Sequence, residues 1–177
     1  KFVVGHELGH CLFSHAAYPD VEGAEGEVER LNYLALQRAA EVSADRIGFL
    51  ACDLRDDAFR AILKVASGLP TELLRFDVSA FLDQGRTLHK MGGSEYELMS
   101  THPMFTARMK SLLWFEMSEP YYDWSLRPGV APISRSVLYK KVRGVLESAS
   151  GFRLADLNES TIRSALLWGA IGLFALD

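Results

Sequence analysis

Apolar and polar positions along most of this chain recur with a helical period. Lys1 to Ala17 places Phe2, Val3, Leu8, Leu12 and Phe13 in such a pattern and predicts a helix. Pro19, Asp20, Gly23 and Gly26 then mark a loop from Tyr18 to Gly26. From Glu27 to Cys52 the pattern resumes through Leu31, Leu34, Ala35, Val42, Phe49 and Leu50, predicting the longest helix. A third helix, capped by Asp56 or Asp57, is expected to end near Gly68-Leu69-Pro70. A fourth, kinked, runs from Thr71 to Lys90, and Met91-Gly92-Gly93-Ser94 breaks the pattern. Pro103 suits the first position of a fifth helix reaching Met117. Glu119 to Ser134 mixes Pro120, Pro128, Gly129 and Pro132 with Tyr121, Tyr122 and Trp124, and predicts an ordered loop pinned by its aromatics. Two more helices are expected, Ser134 to Ser148 and Glu159 to Leu176. No repeat and no hairpin signal interrupts this series, so the predicted fold class is mainly α, with little or no sheet.

Charge first changes the picture inside the opening helix, at Gly5-His6-Glu7-Leu8-Gly9-His10. Residues four apart share a helix face, so His6 and His10 can aim imidazole nitrogens at one metal ion. Glu7 lies about 100° further round. It can miss the metal and reach a water, which is the arrangement of two ligands and a general base used by zinc peptidases. Gly9 should cost about 1 kcal/mol inside a helix, and close approach of another backbone would explain its presence.

A catalytic zinc takes three protein ligands. The second long helix offers Glu41-Val42-Ser43-Ala44-Asp45. Glu41 and Asp45 share a face, so Glu41 can bind the metal while Asp45 accepts a hydrogen bond from the far nitrogen of a ligand histidine. A solvated acidic face is the competing reading. The small apolar residues Ala40, Val42 and Ala44 interleaved with the acids favour burial.

Together with Ser100-Thr101-His102-Pro103 and Arg108, these motifs resemble the HtpX-like peptidases, gluzincins that include the CaaX prenyl endopeptidases and the mitochondrial Oma-type peptidases. The motifs come in that family's order and span residues 1 to 117. The resemblance implies a zincin-like helical catalytic core and one Zn2+ per chain. It implies metal binding by His6, His10 and Glu41, with Glu7 as base and Asp45 orienting a ligand. Residues 118–177 match no motif of that family and are expected to form a helical extension packed on the core. The strands that usually precede the active-site helix are not in this sequence. Because the chain is already in its first motif at Gly5, upstream sequence is expected, and a membrane tether, if there is one, lies outside these residues.

His102, freed from helical geometry by Pro103, can stabilise an oxyanion, occupy the open metal position in a resting state, or serve as a cap. Arg108 can anchor the His102 loop through a carboxylate such as Asp45, contact substrate, or be solvated. His15 lies about 140° round the helix from His10 and reads as structural rather than as a ligand. His89 reads as surface, and Lys140, Lys141 and Arg143 as a solvated face.

Composition narrows the classes. The chain has 177 residues, 49% hydrophobic and 24% charged, enough for one globular domain with an appendage. A net charge of −4 without a basic run argues against nucleic acid as a partner. Cys11 and Cys52 are too few for a disulfide framework and read as buried apolar residues. Ala165 to Leu176 is shorter than the roughly 20 apolar residues a bilayer span needs, and is expected to be a buried helix. The expected function is a zinc-dependent endopeptidase acting on protein or peptide. The alternative is a zinc-stabilised interaction or chaperone-like module. Cytoplasmic and membrane-associated locations both fit the sequence, and oligomeric state is left open.

Overall fold

A computed structural model describes residues 1–75, 77–90 and 105–150. Its centre is helix α2 (Glu27–Leu50), which is buried without interruption from Arg38 to Phe49. Glu27 and Glu29 stand in its first turn, where carboxylates favour the positive end of the helix dipole. Its apolar residues face outward on several sides, so neighbours pack all round it. Those neighbours are α1 (Phe2–Leu12), α3 (Arg55–Ser67), α5 (Phe105–Glu116) and α7 (Arg135–Ser150). Helices α4 (Val78–Lys90) and α6 (Glu119–Ser125) lie against α5. The main core gathers Ala39, Val42 and Phe49 of α2 with Phe59 and Ile62 of α3, Met109 and Leu112 of α5, and Val142 of α7. Among the described residues the fold is mainly helical with no strand, and an isolated parallel bridge joins Ser118 to Ile133.

The crossing of α1 over α2 sets up everything that follows. A Cβ on Gly9 would stand 2.8 Å from the Ala44 Cα, and one on Gly5 would stand 2.9 Å from the Gly48 Cα. Contacts this short are closed to any larger residue, so the glycines let the two backbones touch. The expected reason for a mid-helix glycine at position 9 is therefore met. The same crossing decides which side of α1 is buried. It buries Phe2, Gly5 and Gly9, while Val3, Val4, Leu8 and Leu12 remain exposed.

Several boundaries differ from the sequence expectation. The first helix stops at Leu12 rather than Ala17, because Ser14 takes the left-handed conformation (φ 54°, ψ 38°). A serine there costs roughly 1–2 kcal/mol. The chain then makes a 3-10 turn, His15–Ala17. Helix α3 begins at Arg55 with no side-chain cap, and Asp56 and Asp57 occupy its first turn instead of its cap. Between Thr71 and Lys90 there is a 3-10 turn, Thr71–Leu73, and then a separate helix. Asp77 caps that helix by accepting from the Ala80 N–H at 2.9 Å.

The expected loop after Glu119 contains the short helix α6, with Pro120 in its first turn, where a missing N–H costs nothing. Tyr121 pins it to Phe49 and Phe115, with ring centroids 5.7 and 5.5 Å away, while Trp124 is partly exposed. Cys11 is exposed and Cys52 half-buried, contrary to the expected burial of both, since Cys11 lies on the outer side of α1. Helix α7 begins one residue after its expected start. The expected helix Glu159 to Leu176 and the Pro103 start lie outside the described residues. No helix among the described residues is long and apolar enough to cross a membrane.

Candidate metal centre

Where α1 crosses α2, His6 and His10 of one helix meet Glu41 and Asp45 of the other. The Asp45 Oδ1 is 3.0 Å from the His6 Nδ1. An ionised carboxylate only accepts, so His6 donates its Nδ1–H and its Nε2 carries a lone pair. That Nε2 points at the His10 Nε2, 3.1 Å away. Glu41 closes the third side, with Oε1 3.4 Å from the His10 Nε2 and Oε2 3.6 Å from the His6 Nε2. Such a set of donors could hold a cation. The hydrogen bond to Glu41 raises the pKa of His10.

The spacings test the fit to a metal. Two donors held at about 2.0–2.1 Å from one tetrahedral ion stand about 3.3–3.4 Å apart. The three separations here bracket that value. Two imidazoles and a carboxylate are also a donor set that catalytic zinc sites use, with a fourth position left for water or substrate. His6, His10 and Glu41 are the residues that could hold the ion.

Arg108, from α5, fixes both acids. Its Nε donates to the Asp45 Oδ2 at 2.7 Å and one terminal nitrogen to the Asp45 Oδ1 at 2.6 Å. The other terminal nitrogen lies 3.2 Å from the Glu41 Oε2. Burial works against the charge of Arg108, but hydrogen bonding and attraction to Asp45, then Glu41, prevail and raise its pKa. Asp45 is only 1% exposed and Arg108 8%, so this is a buried bidentate pair. Of the roles open to Arg108 in the sequence, the structure supports a link to Asp45 and excludes a solvated side chain.

Glu7 is exposed and lines a cleft of about 580 Å³ together with His6, His10 and Glu41. The other walls include Phe2, Val3, Ile62, Val65 and Phe105, so the space beside the acid is mostly apolar. His102 lies outside the described residues, as does the whole Ser100-Thr101-His102-Pro103 motif.

His15 is not one of the grouped metal-site residues, but it lies nearer to them than the helical period implies. His15 does not point away from His10. The left-handed turn at Ser14 brings its ring back to it, Nδ1 to Nδ1 at 3.0 Å. Burial pushes the pKa of His15 down to about 4, helped by the nearby charge of His10. The usable sequence signal was a third histidine close behind the motif, but a helical projection sends it the wrong way.

The family model described as Peptidase family M48 matches residues 26–115, half of the chain. The chain belongs to peptidase family M48. Glu41, Asp45 and Arg108 of this M48 chain lie inside the matched segment, whereas His6, Glu7 and His10 precede it. The family consists of peptidases that are generally metal-dependent. No curated protein and no solved structure matches the chain.

Proposed function

We propose that this M48 chain is a zinc-dependent endopeptidase, with His6, His10 and Glu41 as the metal ligands and Glu7 as general base. The observation that carries the reading is the convergence of two imidazole nitrogens and a buried carboxylate, at spacings suited to one ion, beside an exposed glutamate in a cleft. Bound zinc would supply Lewis acidity, which activates water and polarises a carbonyl. Glu7 takes the proton of the attacking water and passes it to the departing amine nitrogen. Asp45 and Arg108 hold the ligands in place and are not themselves consumed. The cleft walls suit a bulky apolar side chain next to the bond that is cut. The peptidase unit takes in residues 1–117, combining α1 with the segment that matches the family.

Cleavage of casein tests this. A chelator should abolish it, and added zinc should restore it. Cleavage that persists after the metal has been stripped would overturn the proposal. Aggregation suppression without any cleavage, with or without zinc, would favour an interaction module instead.

A further inference from the structure

The two histidines of the centre are held from behind by different partners. His6 has Asp45. The partner of His10 is the Nδ1 of His15, and a chain of hydrogen bonds continues beyond it. The His15 Nε2 is 3.1 Å from the Ser43 Oγ, which is 2.9 Å from the backbone oxygen of Ala40. His15 and Ser43 are both buried, at 6% and 1% exposure.

The donors in this chain can be assigned from its far end. A carbonyl oxygen only accepts, so the single hydroxyl proton of Ser43 goes to Ala40. The Ser43 oxygen must then accept, and His15 carries its proton on Nε2. A neutral His15 with that proton presents a lone pair at Nδ1, so His10 donates from Nδ1. The Nε2 of His10 is left with its lone pair directed at Glu41 and His6. One tautomer of each ring satisfies the contacts behind the two histidines and leaves both Nε2 lone pairs, with the Glu41 carboxylate, turned toward the place a metal would fill.

We propose that His15 is a positioning residue, which fixes the tautomer and ring orientation of His10 by accepting its Nδ1–H, with Ser43 fixing His15 in turn. The proposal rests on the metal reading above. Ligand histidines usually donate to a carboxylate, a backbone carbonyl or water. Here a neutral ring does that work for one ligand and a carboxylate does it for the other. The centre thereby orients both histidines without a third buried acid. The geometry depends on the left-handed turn at Ser14, which aims the ring back at α1.

The test compares the parent with His15→Leu and His15→Asn. Leucine fills similar space without an acceptor. Asparagine places an acceptor oxygen close to the Nδ1 position. Chelator competition should show zinc affinity roughly 10- to 100-fold weaker in the leucine variant, the usual cost of losing such a partner. The asparagine variant should stay nearer to the parent, with metal-free melting temperatures similar in the two variants. Parental affinity in the leucine variant, or equal loss in both, overturns the proposal, because equal loss means the ring only fills space. Should the leucine variant fail to fold, Ser43→Ala carries the test, since it leaves His15 in place and removes its acceptor. Zinc affinity unchanged by Ser43→Ala would then overturn the relay. A parent that binds no zinc overturns the metal reading and this proposal together, whereas a zinc-binding parent matched by its variants overturns only the role of His15.

Discussion

Glu7→Gln is expected to stop proteolysis while leaving zinc content and thermal unfolding almost unchanged. The amide keeps the size of the side chain and its capacity to hydrogen-bond, but it cannot take a proton from water. Positioned proton transfer contributes about 10²- to 10⁴-fold to a rate, so casein cleavage should fall by at least that range. Glu7 is exposed and lines the cleft. Exposed substitutions of this kind stay within about 0.5 kcal/mol, which is why unfolding should not move. Zinc content measured on the same preparation separates loss of the base from loss of the metal. A glutamine variant that cleaves at the parental rate would remove Glu7 from the chemistry.

Asp45→Ala should have the largest effect on stability. The substitution takes away the acceptor of the His6 Nδ1–H and both hydrogen bonds from Arg108 to Asp45. Among the described residues, Arg108 would remain buried with Glu41 to oppose its charge. Removing one partner of a buried ion pair typically costs about 3–5 kcal/mol. Zinc affinity should fall as well, by roughly 10- to 100-fold, because His6 would lose its orienting partner. Urea unfolding of the metal-free protein measures the first effect, and chelator titration measures the second. A loss of stability with unchanged zinc affinity would confine Asp45 to the core and separate it from the ligands.

How much of this was legible in the chain depends on the range of each interaction. The spacing of His6 and His10, and that of Glu41 and Asp45, are properties of single helices, so the 3.6-residue period was enough to pair them. Gly9 was legible as a place of close approach, because a glycine inside a helix otherwise only costs stability. The burial of α1 was not. Its apolar positions do not say which side faces inward: the glycines set the short crossing distance, and Val3, Leu8 and Leu12 remain exposed.

His15 lies nearer to His10 than the helical period implies for a local reason. A serine in the left-handed conformation leaves little mark in a sequence, and the helical projection that served for His6 and His10 fails one residue beyond it. Arg108 presents the opposite case, since it meets Asp45 across 63 positions of chain and only tertiary packing brings them together. Pro120 was read as part of a loop, whereas proline is equally at home in the first turn of a helix such as α6.

The metal assignment itself can be read from X-ray absorption at the zinc K edge on protein purified without added metal. One zinc per chain is expected, with nitrogen and oxygen donors at about 2.0–2.2 Å, two of them imidazole. His6→Ala should remove one imidazole contribution. A centre containing sulfur would assign the metal to a cysteine instead, and protein free of bound zinc that gains none on addition would contradict the assignment outright.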